Sequence, residues 1–221
     1  MRTRLGYEAV PRSGKGPAVI VIQEWWGLVP HIQEVCDRLA AEGFLALAPD
    51  LYHGKSTKSP DEAGRMMMAL NIEQAAQDLG RAVEHLLAHP NASGKKVGVM
   101  GFCMGGQLAL YAAARFPSQI GACVDFYGIH PNVKADWSSI RCPVLGFFAE
   151  KDQFVGPNVA VELESQLKSK GVKTEFKIFP GADHAFFNDS RPEVFDKAAA
   201  QQAWKRLLGY FQEQLTASSP A

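Results

Sequence analysis

Short apolar runs alternate with longer amphipathic stretches along the whole chain. Ala18 to Ile22 is continuous and mostly β-branched, and Phe44 to Ala48 is a second apolar run, ended by Pro49-Asp50. Between them, Ile32, Val35, Cys36, Leu39 and Ala40 recur at the spacing of one helix face, predicting a helix over His31–Glu42. Pro30 is placed to open that helix and Gly43 to close it. After a polar loop at 53–60, helical spacing predicts helices over Asp61–Ala69 and Ile72–His89, and Pro90 to Gly94 break the chain. Val97–Gly101 reads as a third strand and Gln107–Arg115 as a helix. Strands are predicted at Ile120–Phe126 and Val144–Phe148, then a helix over Asn158–Lys170 stopped by Gly171. Thr174–Phe179 alternates apolar and polar residues, as an edge-side strand does. Pro192 is placed to open a last helix running to about Leu215, with Trp204, Leu207, Leu208 and Phe211 on its buried face. Residues 1–10 are a candidate for one more edge strand.

Strands alternating with helices of ten or more residues predict an α/β fold with a mostly parallel central sheet and helices on both faces. Uncharged strands suit a sheet covered on both sides. With no repeat, linker or low-complexity tract, residues 1–221 read as one domain.

Composition narrows the function. Lys plus Arg number 23, as do Asp plus Glu, so nothing draws the chain to nucleic acid or an anionic membrane surface. The amino-terminal residues show no signal-peptide pattern, so a cytoplasmic monomer acting on a small molecule is the expectation. The four cysteines have no CxxC or zinc-type spacing, and no nucleotide-binding glycine pattern occurs. No metal or cofactor is therefore expected. Cys36, Cys123 and Cys142 read as small buried apolar residues.

Cys103 differs. It lies in Gly101-Phe-Cys-Met-Gly105, a G-x-C-x-G between an apolar run and a helix pattern. The serine version is the nucleophile elbow, in which a strained turn presents the side chain at the carboxyl end of a strand. The following helix starts with its positive end near the thiol. Taken alone the pattern is as compatible with an inert buried thiol. In this fold the acid and then the histidine follow the nucleophile. Asp152 sits in the loop after the Val144–Phe148 run, with Glu150 as competitor; an ordinary turn aspartate is the alternative reading. His184 is the one histidine of the six that follows Asp152. The three form a candidate catalytic triad. The backbone N–H groups of Met104 and Trp25 are candidate oxyanion donors, and Glu24 is placed to contact the thiol. Trp26 and Phe102 are expected to contact substrate.

With these pieces in place, the chain resembles the dienelactone hydrolase family of α/β-hydrolases. The resemblance rests on Gln23-Glu-Trp-Trp-Gly-Leu28, Ala48-Pro-Asp-Leu-Tyr52, Gly101-Phe-Cys-Met-Gly-Gly106, Asp152 and Gly181-Ala-Asp-His-Ala-Phe186. It implies hydrolysis of an enol lactone or small ester by Cys103, Asp152 and His184, with Glu24 holding the resting thiol until substrate displaces it. It also implies arginines that bind a substrate carboxylate. Arg65 matches one, whereas Asn188 stands where the other is expected and Arg191 is out of register. Asn offers neither charge nor a bidentate fork. A general carboxylesterase, a non-catalytic ligand-binding protein and a redox-sensing thiol remain alternatives.

Overall fold

The computed structural model describes residues 1–216. Its strands are β1 (Gly6–Ala9), β2 (Gly16–Ile22), β3 (Leu45–Pro49), β4 (Ala92–Phe102), β5 (Ile120–Phe126), β6 (Val144–Ala149) and β7 (Thr174–Phe179). They form one seven-stranded sheet in the order β1-β3-β2-β4-β5-β6-β7. Only the β1–β3 pair is antiparallel. The candidate strand in residues 1–10 is thus a real edge, and the alternating Thr174–Phe179 run is the opposite edge.

Helices α1 (Pro30–Ala41) and α6 (Lys197–Thr216) cover one face, and α3 (Ile72–Ala88) and α4 (Met104–Arg115) the other. The remaining helices are α2 (Pro60–Met68) and α5 (Pro157–Ser169). Even the fully buried β2 splits its side chains by parity. Val19 and Val21 pack with α1 and α6 residues, while Ala18, Ile20 and Ile22 pack with α3 and α4 residues. No helix among the described residues is long and apolar enough to cross a membrane.

Three boundaries differ from the pattern-based expectation. Strand β4 starts five residues before Val97, because its first half, Ala92-Ser-Gly-Lys-Lys96, is mostly exposed and carries no apolar signal. Helix α4 starts at Met104, directly after Cys103; Gly105 and Gly106, poor helix formers, hid its first turn. Helix α6 starts at Lys197 rather than Pro192. Residues 191–195 form turns, and Asp196 caps the helix by accepting from the Ala199 N–H at 3.0 Å.

The chain leaves β2 toward β3 on one side and returns to β4 on the other. The strand order therefore reverses between β2 and β4, where open α/β sheets bind ligands beyond the carboxyl ends of the strands. The Gln23–Gly27 loop and Cys103 flank that crevice.

Candidate active site

Cys103 adopts φ 54° and ψ −123°, a backbone region that side chains rarely enter. Three hydrogen bonds hold it there. Its N–H donates to Phe126 O at 3.0 Å, and its carbonyl accepts from the N–H groups of Gly106 (2.9 Å) and Ile129 (3.1 Å). The neighbouring glycines are steric requirements of the turn. A Cβ on Gly101 would lie 2.0 Å from Gly105 O, and one on Gly105 would lie 2.5 Å from Gln23 O. The close approach presses the first turn of α4 onto the end of β2 and delivers the thiol beside the helix N-terminus.

The loop after β6 supplies Asp152, and the loop after β7 supplies His184. His184 Nδ1 lies 2.7 Å from Asp152 Oδ2. The other oxygen, Oδ1, accepts from the backbone N–H groups of Phe154 (2.7 Å) and Val155 (2.8 Å). Asp152 is therefore both a turn aspartate and the imidazole's partner, one oxygen for each. Burial alone would raise its pKa, but the His184 hydrogen bond and charge, with the two backbone donors, bring it below the usual carboxylate range. For His184, burial works against the charged ring. Hydrogen bonds with Asp152 and with Cys103 outweigh it and lift the imidazole to about 10. The competing carboxylate, Glu150, instead accepts from the Gly181 N–H at 2.7 Å. With the Lys151 N–H to Ala182 O bond, it ties the two loops together without touching the imidazole.

Glu24 is 1% exposed, at the end of β2. Its Oε2 accepts from Asn188 Nδ2 at 2.8 Å. Asn188 is itself buried and its carbonyl accepts from the Ser190 N–H and hydroxyl. The residue at the expected arginine position is thus spent on a buried carboxylate rather than aimed at a ligand.

The flanking residues sort by exposure. Met104 opens α4, so its N–H has no partner within the helix and stands beside Cys103. Trp25 and Trp26 are half-buried and meet edge-on, with centroids 5.1 Å apart. Arg191 lies 5.8 Å over the Trp26 ring, its Nε held by Glu193. Arg65 is exposed on α2, and the adjacent Gly64 faces Trp25. Phe102 does not meet the expectation of substrate contact. It is fully buried against Phe126 and Phe187, in the apolar layer that β4 shares with α1 and α6 residues.

Two aromatic residues escaped the sequence reading. Phe154 is 58% exposed with its ring 5.1 Å from His184. Tyr127 is fully buried with its ring 5.0 Å from His184, and its backbone also has positive φ, 41°. Its hydroxyl finds no well-formed hydrogen bond. Burial, then the negative groups at Glu24, Cys103 and Asp152, push the phenol far up, so it is a neutral O–H beside the cluster. The available signal was its position, the first residue past β5 at the carboxyl edge. The other thiols behave as expected of buried apolar residues. Burial raises Cys36 and Cys123 strongly and pushes Cys142 up to about 12.

A sequence profile of the dienelactone hydrolase family matches residues 5–215. This chain belongs to the dienelactone hydrolase family. Relatives include "Protein usf" of Aquifex pyrophilus, 42% identical over 96% of this chain and 94% of that protein. A protein of Aquifex aeolicus named "Putative carboxymethylenebutenolidase" is 38% identical, covering 95% of this chain and 93% of the relative. Among solved structures, "Putative Dienelactone Hydrolase" from Klebsiella pneumoniae superposes with TM-score 0.84 at 28% identity, covering 93% and 91% of the two chains. The likeness extends over nearly the whole α/β-hydrolase fold, and the Cys103, Asp152 and His184 cluster lies within the matched family span.

Proposed function

We propose that this member of the dienelactone hydrolase family cleaves a small ester or enol lactone through a Cys103–His184–Asp152 triad. The observation that carries the proposal is the 2.7 Å Asp152–His184 bond together with an imidazole held protonated up to about 10 beside Cys103. A charged imidazole there is the counter-ion of a thiolate, the form of cysteine that attacks carbonyl carbon.

The sulfur bonds to the carbonyl carbon, and the oxygen gains the negative charge. The N–H groups of Met104 and Trp25 receive that oxyanion. Collapse breaks the carbon–oxygen bond, and the departing alkoxide or enolate takes the proton from His184. The now neutral His184 removes a proton from water, which attacks the thioester. Collapse of the second oxyanion releases the acid and the sulfur, and His184 retains the proton. Asp152 orients the ring throughout and compensates its charge. The half-buried Trp25 and Trp26 and exposed Phe154 form an aromatic wall suited to a small, flat substrate.

The test is hydrolysis of a short p-nitrophenyl ester and of a dienelactone by the wild-type chain and Cys103→Ala. We expect Cys103→Ala to lose more than about 10³-fold in kcat/KM. Equal turnover by the two proteins, or none of either substrate by wild type, overturns the proposal.

A further inference from the structure

A second histidine–carboxylate cluster lies at the opposite end of the sheet. Glu8, on edge strand β1, is only 3% exposed. Its side chain leaves β1 on the face away from Tyr7, whose hydroxyl binds Asp37 on α1. Glu8 Oε2 lies 2.6 Å from His85 Nε2 and Oε1 3.5 Å from His89 Nε2. His85 is in the last turn of α3 and His89 is its C-cap, so the four-residue spacing puts both imidazoles on one side. The two rings meet edge-on, 5.3 Å apart. One donor atom from each of the three residues lies within 4.8 Å of the others. No step proposed above uses any of them.

We propose that Glu8, His85 and His89 form a binding site for a divalent transition-metal ion of the zinc class. Two imidazoles and one carboxylate are a donor set zinc takes in a four-coordinate site, with water in the fourth position. Burial favours it, since a carboxylate in a nearly dry site needs a cationic partner. Here a metal ion would supply that charge at one centre. The partly exposed His85, at 36%, leaves a route for entry.

The His89 tautomer sets one condition. The Asn91 N–H donates to His89 Nδ1 at 3.1 Å, so the resting ring carries its proton on Nε2, toward Glu8. Ligation moves that proton to Nδ1 and releases the Asn91 contact, with no net proton loss from that ring. The ion would staple the antiparallel edge strand to α3, and its binding energy would appear as stability of the fold.

The experiment is a zinc titration of chelator-treated protein by calorimetry, in a Cys103→Ala background so that the thiol cannot compete. Thermal melting and cobalt(II) absorption are read in parallel. We expect one equivalent bound, a melting temperature about 5 °C higher at one hundred times Kd, and a cobalt spectrum without a thiolate charge-transfer band. His85→Ala and His89→Ala, at the more exposed ligands, should each weaken binding more than about 100-fold. Binding that survives the His85→Ala/His89→Ala double variant, or no binding by the parent, overturns the proposal. A cobalt–thiolate band overturns it as well.

Discussion

Among the described residues, two histidines reach an almost wholly buried carboxylate with nearly the same contact. His184 and Asp152 approach to 2.7 Å at the carboxyl end of the parallel strands. His85 and Glu8 approach to 2.6 Å at the other end. Both carboxylates are almost wholly buried. Their surroundings differ. The first pair has a sulfur at hand, a helix N-terminus beside it, and three residues with positive φ, Cys103, Tyr127 and Ala185. The second is closed by a helix C-terminus and an edge strand, with no nucleophile and no positive φ among Glu8, His85 and His89. A buried imidazole–carboxylate contact is therefore not by itself a sign of catalysis. On the function proposed above, the strained strand-to-helix turn that carries Cys103 is what sets the first pair apart.

Breaking each pair should separate the two roles. Asp152→Asn keeps the size of the side chain but removes the charge that favours the imidazolium. We expect kcat/KM for a p-nitrophenyl ester to fall by about 10³–10⁴-fold, with the folded state retained through the turn contacts of Oδ1. A loss under about tenfold would mean that the 2.7 Å bond is structural.

The pH profile sharpens the same contrast. His184 is raised from 6.5 to about 10 in the folded chain. Its proton therefore favours folding fully below about 6.5, and that stabilisation is lost as pH rises through about 10. Activity that needs the imidazolium should follow the same limb, with kcat/KM falling as pH passes about 10. In Asp152→Asn the limb should move toward neutral pH. A limb unmoved by that substitution assigns the titration to another group.

For the second pair, His85→Ala should leave kcat/KM within about twofold of wild type. It should lower the melting temperature by about 5 °C, since the variant strips a buried carboxylate of its shortest contact. Loss of activity without loss of stability would mean that the two ends of the sheet are coupled rather than separate.

The first pair was legible in the sequence and the second was not, for a physical reason. Each member of the Cys103, Asp152 and His184 set follows a strand in a parallel sheet, so chain order alone brings the three loops to one edge. Most strands and helices were legible for a similar reason, since their apolar periodicity is local. Glu8 meets His85 across 77 residues, through a strand whose polar face gives no periodic signal. Glu24 meets Asn188 across 164 residues, and nothing in either local pattern announces that a missing guanidinium has been replaced by an amide on a buried carboxylate. Phe102 was misread because it adjoins Cys103 in sequence, whereas strand alternation sends it into the aromatic core.

The smallest effect tests the choice between two carboxylates in one loop. Glu150 and Asp152 both follow β6, and sequence order does not separate them. Glu150 is exposed, and its Oε2 takes one backbone hydrogen bond, from Gly181, three residues before His184. Removing that charge by Glu150→Gln keeps an acceptor of the same reach, so the histidine loop should stay tied through Lys151 N–H to Ala182 O. An exposed hydrogen bond of this kind contributes about 0.5–1.5 kcal/mol to stability, and the gln amide oxygen retains part of it. The variant should hold kcat/KM within about threefold of wild type and keep the alkaline limb near 10. If Glu150→Gln instead moved the limb while Asp152→Asn did not, the charge compensating His184 would reside on Glu150. The imidazole would then have to turn away from Asp152 in the working enzyme.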